Sequence, residues 1–217
     1  IVGASVAGGL AVQGTVATWK DHTDVHALIG DTNGISAKKL AVQAENDRTY
    51  DATLVGASVA LVGAVNGAVV TGSASGITEA GIGDETGTYD KDILVTEDAQ
   101  VLSSAKTNLK AHVTGAAKGT YAGTGTGAVL TSDVDTKSFI GKGEKISAKN
   151  INVTANNTPT LKAMANAAGV GLAGVGITVA QTKALDDSRV LIGSGTSLTA
   201  AKTLELSARI PDSQYRE

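Results

Sequence analysis

The amino-acid sequence repeats itself after 53 residues. When residues 2–34 are moved onto residues 55–87, 16 of the 33 aligned positions are identical. The best-preserved block, Val-Gly-Ala-Ser-Val-Ala at 2–7, recurs unchanged at 55–60. A unit that recurs at a fixed spacing in this range is typical of proteins that stack copies of one structural unit. The sequence is therefore more informative about architecture than about chemistry.

An Ile-Gly pair anchors each copy of the repeat. It occurs at Ile29-Gly30, Ile82-Gly83, Ile140-Gly141 and Ile192-Gly193, and its glycines are 53, 58 and 52 residues apart. The spacing predicts about four degenerate repeats of 52–58 residues. We interpret the whole chain, 1–217, as a single repeat segment and a fragment of a larger secreted protein. Residues 211–217 are predicted to be a frayed tail.

The first half of each repeat is an apolar run of small residues. These runs are 2–18, 55–71, about 113–131 and about 165–180. In the first two runs Val and Leu alternate with Gly, Ala and Ser, and a period of two residues favours a strand over a helix. In the fourth run the parity changes once, which predicts a bend or bulge at Ala173-Gly174.

The second half of each repeat contains a polar linker, the anchor, a turn and another strand. The apolar positions of the first and third copies coincide at 35/146, 40/151 and 42/153, and the fourth copy matches with one inserted residue. Gly and Asn after the anchor supply the positive φ that a tight corner requires. Asn156, Asn157, Thr158 and Pro159 are also interpreted as a corner.

Short strands, glycine corners and the absence of a long amphipathic pattern predict an all-β solenoid of stacked strands. We expect its stability to come from Val, Leu, Ile and Ala stacking between neighbouring coils. Because about 55 residues is long for one coil, we expect two or three coils in each repeat. Roughly ten coils at about 4.8 Å each would make a rod about 45–50 Å long.

Composition excludes several classes of protein. The chain has no Cys, so it contains neither disulfides nor thiol chemistry. Its net charge is −3, which gives no electrostatic attraction to nucleic acid. Aromatic residues make up only 3% of the chain, so few rings are present to stack on sugars.

The pattern Val-Gly-Ala-Ser-Val-Ala-Gly-Gly-Leu-Ala-Val, followed by Ala-Leu-Ile-Gly and Gly-Ile-Ser-Ala-Lys-Lys-Leu-Ala-Val-Gln-Ala, resembles a known family. It is similar to large secreted bacterial exoproteins of the filamentous-haemagglutinin and autotransporter type, and among these to the central repeats of fusobacterial leukotoxins. The resemblance covers essentially the whole chain. It implies a right-handed parallel β-helix, export to the bacterial surface or medium, and adhesion to or killing of host cells.

The individual motifs have structural explanations that compete with functional ones. The glycine runs 123–127 and 171–176 lack the order of nucleotide-binding loops. Residues 163–180 are nearly uncharged, but the recurring two-residue period favours strands over a transmembrane helix. His22, Asp24 and His26 could present three metal ligands on one strand face, yet the shifted copy lacks them. Calcium binding by the acidic pairs, for example Glu97-Asp98 and Asp186-Asp187, is an alternative that no recognised motif supports.

We therefore assign no catalytic, cofactor-binding or metal-binding residues and no cofactor. The predicted function is that of a structural or host-contact segment of a secreted virulence exoprotein, a monomer that contacts leukocytes through an unknown receptor. Nucleic acid and small-molecule substrates are not expected as partners. An adhesin stalk without cytotoxicity and a β-helical polysaccharide-processing enzyme are the alternatives. The enzyme is disfavoured because charged residues are scattered along the sequence.

Overall fold

The computed structural model describes residues 1–30, 34–85 and 92–211, and within these ranges the chain is all-β and contains no helix. The predicted all-β class is therefore confirmed. The strands, in chain order, are β1 (Val2–Ala7), β2 (Leu10–His22), β3 (Val25–Ile29), β4 (Ile35–Ala37), β5 (Leu40–Ala60), β6 (Gly63–Ile82), β7 (Asp92–Val95), β8 (Asp98–Lys118), β9 (Tyr121–Ile140), β10 (Lys145–Val170), β11 (Ala173–Ala184), β12 (Asp187–Ile192) and β13 (Ser197–Arg209).

The described strands form two parallel sheets. The first sheet has seven strands in the order β1-β5-β8-β10-β7-β4, with β13 also paired to β10. The second sheet has six strands in the order β11-β9-β6-β2, with β12 paired to β9 and β3 paired to β6. From β5 onwards the chain passes alternately through the first and the second sheet. Parallel strands cannot be joined by hairpins, and here each return path is a strand of the opposite sheet.

The sequence repeat sets the register of strand pairing. Val2 pairs with Val55, 53 residues away, and Tyr121 pairs with Gly63 and Ala173, 58 and 52 residues away. These offsets equal the spacings between the Ile-Gly anchors. Equivalent residues of successive repeats therefore lie side by side, as predicted. The inserted residue of the fourth copy is also confirmed, because the β10–β13 register shifts between Ala148 and Asn150.

The predicted number of coils is wrong. Each repeat contributes one long path through each sheet, and the longest strand, β10, has 26 residues. The expectation of two or three coils per repeat assumed strands of ordinary length, about 5–6 residues. Because the strands are several times longer, the repeats form a shallow stack of wide sheets and not a ten-coil rod.

The apolar runs do not form single strands. Each run crosses from the first sheet to the second through a two-residue turn. These turns are 8–9, 61–62, 119–120 and 171–172, and we call this end of the strands the short-turn end. The parity change in the fourth copy is such a turn, so the predicted bulge at Ala173-Gly174 is wrong: both residues begin β11. At the opposite, long-turn end, Gly34, Gly143 and Gly195 have positive φ, as predicted for the glycines after the anchor, and the anchor glycine Gly83 has it as well. Asn33, the asparagine of the same prediction, lies outside the described residues.

Asn156 to Pro159 lie inside β10 and do not form the predicted corner. Asn157 is fully buried, and Pro159 pairs with Thr107 of β8. The last pair between β10 and β13 is Asn156 with Arg209, so Pro159 lies where β10 is an edge strand on that side. Pro is tolerated there because its missing N–H removes no ladder hydrogen bond. The predicted frayed tail, apart from Pro211, lies outside the described residues.

The two sheets face each other across an interior that is rich in small residues. Apolar clusters near the long turns and in the middle of the strands contain Ile, Val and Leu, whereas the cluster at the short-turn end contains only Ala. Ala64 is buried in this alanine cluster and Ala68 in the central one, while their neighbours Val65 and Val69 point outward and are 48% and 39% exposed. Near the short turns the small face of the apolar runs is therefore inside and the larger aliphatic face is outside. Farther along the runs, Val70, Val113 and Leu130 are buried in the central cluster.

We predict that two leucines in the first sheet differ sharply in their contribution to stability. Leu109 is fully buried in the central cluster, so Leu109→Ala should lower the free energy of unfolding by about 2–5 kcal/mol. Leu94 is 54% exposed, and Leu94→Ala should change it by less than about 1 kcal/mol. Urea denaturation measures both values. Equal losses for the two variants would contradict the assignment of interior and exterior faces.

Candidate functional site

Polar side chains connect the two sheets across the interior. Ser138 of β9 donates to the carbonyl oxygen of Thr154 in β10 at 2.6 Å, and it lies 2.8 Å from the hydroxyl of Ser103 in β8. Asn157 of β10 donates in the opposite direction, to the carbonyl oxygen of Val134 in β9. A side chain of this length reaches the opposite backbone only because the interior between the sheets is thin. The hydroxyls of Ser103 and Ser138 and the amide nitrogen of Asn157 find their partners within the protein, whereas Asn157 Oδ1 is buried without a partner among the described residues. We assign these groups a structural role.

A largely buried ion pair joins the two sheets at the end of the stack where β2 is the edge strand. The Arg48 guanidinium donates to the Asp21 carboxylate and to the carbonyl oxygen of Ser75, both at 2.7 Å. The Arg48 side chain is 5% exposed and that of Asp21 is 16% exposed. Burial opposes ionisation of Asp21, but hydrogen bonds from Arg48 and Thr23 outweigh it, so the pKa of Asp21 lies below its ordinary value.

Two aromatic rings lie beside this ion pair. Trp19 and Tyr50 are stacked with ring centroids 6.4 Å apart and an interplanar angle of 28°. Gly72 is the neighbour of Trp19 in β6, and a Cβ there would overlap the indole ring. Position 72, which is equivalent to Trp19 in the next repeat, is therefore restricted to Gly by the indole ring. Burial, followed by the Asp21 charge, raises the pKa of the Tyr50 hydroxyl.

The three residues considered as metal ligands point outward from β2, β3 and the link between them. His22 and Asp24 approach to 3.4 Å, whereas His26 lies 3.0 Å from the Glu79 carboxylate of the next repeat. Asp24 also accepts the backbone N–H of Ile77 at 2.9 Å, which places this carboxylate over a break between strands. In the described part of the chain no group of three or more His, Asp or Glu side chains is arranged to hold a metal ion.

The outward face of the second sheet carries a row of charged residues in register. His26, Glu79, Lys137 and Arg189 occupy equivalent positions of β3, β6, β9 and β12, and we call them the charged ladder. Lys137 bonds Glu79 at 2.9 Å and also pairs with Glu85. The Glu79–Lys137 pair places opposite charges directly across neighbouring strands, which stabilises the sheet, whereas Lys137 and Arg189 are like charges on neighbouring strands.

The Phe139 ring packs against Lys137 of the charged ladder. The ring lies over Gly81, where a Cβ would overlap it, and the Lys137 ammonium lies 4.9 Å from the ring centroid. Burial disfavours the charge on Glu79, but bonds from Lys137 and His26 outweigh it and lower the pKa of Glu79. Burial likewise disfavours the charge on Lys137, but Glu85 and Glu79 outweigh it and raise the pKa of Lys137.

Arg189 links the end of the ladder to two recurring aspartates. Asp135 and Asp187 pair across β9 and β12, and Arg189 lies 3.0 Å from Asp135 and 3.6 Å from Asp187. Asp24, Asp135 and Asp187 each precede the anchor glycine of their repeat by six residues, which predicts an exposed row of aspartates or a corner cap. The structure places the Arg189 guanidinium between the last two. The adjacent Asp186 instead accepts hydrogen bonds from the Ser132 hydroxyl and the Val134 N–H. Its pKa is raised because burial outweighs these bonds.

Sequence reasoning did not identify the charged ladder. Its members are separated by 53, 58 and 52 residues and include four different residue types, so no local motif connects them. The repeat spacing was the available signal, because it places residues of equal offset side by side. The arrangement offers ion pairs and hydrogen-bonding groups on a flat surface, which is suited to contact with another surface.

No protein-family model matches the chain, and no curated protein or solved structure shows significant similarity to it. In the described residues no helix combines the length and apolar character needed to cross a membrane.

We predict that the charged ladder contributes to stability in a pH-dependent way. The pKa of Glu79 is lower in the folded protein than in the unfolded chain, so its contribution is present at neutral pH and is lost as the pH falls below about 4. Glu79→Gln should therefore lower the free energy of unfolding by about 1 kcal/mol at pH 7 and by much less at pH 3. Denaturant titrations at the two pH values measure the difference.

Glu45→Gln serves as the control, because Glu45 is an exposed carboxylate on the outward face of β5. This variant should unfold like the unchanged protein at both pH values. A loss for Glu79→Gln that is the same at pH 7 and pH 3 would refute the electrostatic origin.

Proposed function

We propose that the chain is a structural and host-contact segment of a secreted bacterial virulence exoprotein of the leukotoxin type, folded as a right-handed parallel β-helix. The observation that carries this proposal is the identity between the sequence repeat and the strand register. Stacking of equivalent residues builds an extended surface from many repeats. The resemblance of the repeat sequence to secreted exoproteins supports the same assignment.

The handedness follows from a general rule for parallel sheets. Connections between parallel strands are right-handed in about 98% of cases, because the twist of the strands favours that crossover. The alternation of the chain between two parallel sheets supports closure of each repeat into one wide coil. Neighbouring coils then satisfy each other's backbone hydrogen bonds, so the segment needs no disulfide.

The outward face around the charged ladder is the surface that we assign to host contact. Its charged groups are continuous across four strands. His26 and Arg189 at the two ends are 45% and 46% exposed, while Glu79 and Lys137 between them are 15% and 17% exposed. Contact through such a face is spread over a wide area, as in protein–protein interfaces with a polar rim. On this proposal the chain is a monomer at the bacterial surface or in the medium, its partner is a leukocyte surface, and it uses no cofactor.

The carboxylates of the described surface do not favour the enzyme alternative. Glu79 is engaged by Lys137 and His26, Asp21 by Arg48, and Asp135 by Arg189. A glycosidase needs two carboxyl groups facing each other across a bound sugar. The carboxylates named here are instead paired with Lys, His or Arg side chains, as in ion pairs that stabilise a fold.

We predict that fluorescently labelled protein binds to leukocytes and that the charged ladder takes part. Arg189→Glu reverses one charge of the ladder and should weaken binding roughly tenfold, since a mismatched charge slows association. Lys106→Glu is the matched control, because Lys106 is also exposed but lies on the outward face of the first sheet. Flow cytometry with leukocytes and epithelial cells measures both variants.

Binding to epithelial or matrix targets in place of leukocytes would favour the adhesin alternative. Absence of binding to either cell type at micromolar concentration would leave only a scaffold role. Equal weakening by Arg189→Glu and Lys106→Glu would exclude the charged ladder as the contact surface.

A further inference from the structure

The short-turn end of the molecule exposes large aliphatic side chains. On the second sheet Val12, Val175 and Ile177 point outward and are 60–65% exposed. At the turns Leu61 is 75% exposed and Leu172 is 92% exposed. We call the outward side of the second sheet over 10–18, 63–71, 121–129 and 173–181, together with the turns 61–62 and 171–172, the apolar face.

The apolar face is extensive. It covers about nine residues along each of four strands, which corresponds to roughly 30 Å by 15 Å at ordinary strand dimensions. In the positions that point outward it contains only aliphatic residues, Gly, Thr, one Tyr and one Gln. An exposed apolar patch of several hundred square ångströms marks a site of interaction with a protein or a membrane.

The apolar surface continues around the turns onto the first sheet. Val6, Val59 and Val170 occupy equivalent outward positions there and are 82%, 43% and 58% exposed. Together with Leu61 and Lys118 they line an open groove of about 670 Å³. A flat protein partner would cover the second sheet but leave these valines exposed. A lipid bilayer is fluid, so it covers the outward sides of both sheets where they meet at the short turns.

Charge is distributed unevenly between the two ends of the strands. The short-turn half, residues 1–20, 51–73, 110–132 and 162–183, contains five lysines and a single acidic residue, Asp51, a net charge of +4. The rest of the chain carries 13 basic and 20 acidic residues, a net charge of −7. Lys20 and Lys183 border the apolar face, and Lys118 lies beside the turns. Basic residues next to an apolar surface favour anionic lipid headgroups.

We propose that the apolar face binds the interfacial region of an anionic lipid bilayer. The turns enter the boundary between headgroups and acyl chains by about 5–10 Å, which is the usual depth of interfacial elements. Tyr121, 65% exposed at the start of β9, lies at the level where aromatic rings concentrate. The long stem of Lys118 extends along the surface so that its ammonium reaches the headgroups. The edge strands β2 and β11 belong to this face, and their free backbone groups meet water and headgroups in the interfacial region and not in the hydrocarbon core.

A second copy of the chain fits this face less well. Two apolar faces packed together would bring two halves of net charge +4 next to each other, and like charges oppose such an association. An anionic bilayer provides the opposite charge. The inference does not rest on the proposed host receptor, because vesicles of pure lipid contain no protein.

The test is flotation of the purified chain with vesicles of phosphatidylcholine, with and without phosphatidylserine. The unchanged protein should float with the phosphatidylserine vesicles and less with phosphatidylcholine alone. Leu61→Asp combined with Leu172→Asp should lower the partition coefficient at least about tenfold, because two apolar side chains no longer enter the lipid. Leu28→Asp combined with Leu94→Asp is the matched control: both leucines are similarly exposed, 53% and 54%, but lie near the long turns.

Circular dichroism shows whether each variant keeps the β-fold, and the substituted leucines are exposed so that folding is preserved. Absence of flotation with either vesicle would overturn the proposal, and so would equal losses for the two double variants. Sedimentation velocity tests the competing occupant. A dimer that dissociates when Leu61 and Leu172 are replaced, without flotation of the unchanged protein, would assign the face to a second copy.

Discussion

Backbone hydrogen bonding between equivalent residues of successive repeats is the constraint on which the rest of the structure depends. Among the described strands, no long strand pairs with another strand of its own repeat, so their ladder bonds are made to the repeat before or after. Because pairing is parallel and in register, the offset between partners equals the length of the repeat. Ile29, Ile82, Ile140 and Ile192 therefore form one continuous row at the ends of the strands.

This register has a consequence for the interior. Rows of equivalent positions place Gly beside Gly and Ala beside Ala, as for Gly3 with Gly56 and Ala11 with Ala64. Two such faces approach closely, and the side chains of Ser138 and Asn157 then reach the backbone of the opposite sheet. The same approach leaves no space for Val and Leu at the short-turn end. These larger residues occupy the opposite side of the strands, where they make the surface apolar.

The charged ladder and the apolar face therefore lie at opposite ends of the strands. The charged ladder lies near the long turns, where Lys137 covers Phe139 and pairs with Glu79 and Glu85. The apolar face lies near the short turns and has Lys20 and Lys183 at its border. A molecule of this kind presents one end to a polar surface and the other to an apolar one. The thin interior is compatible with both surfaces, because small side chains and polar contacts hold the two sheets together without a large apolar core.

The sequence by itself determined the all-β character of the chain and the stacking of equivalent residues in register, because the first depends on a short-range alternation and the second on the repeat spacing. The row of Asp135 and Asp187 and the inserted residue of the fourth copy were readable in the same way. The tertiary structure decided the rest. The pattern of Val2, Val6 and Leu10 shows that one face differs from the other but not which one is inside, since that depends on how closely the two sheets approach. The number of coils and the turn at 171–172 likewise depend on where a long chain reverses, which no local pattern specifies. The repeat spacing places His26, Glu79, Lys137 and Arg189 side by side, but only the fold puts them on the outward face.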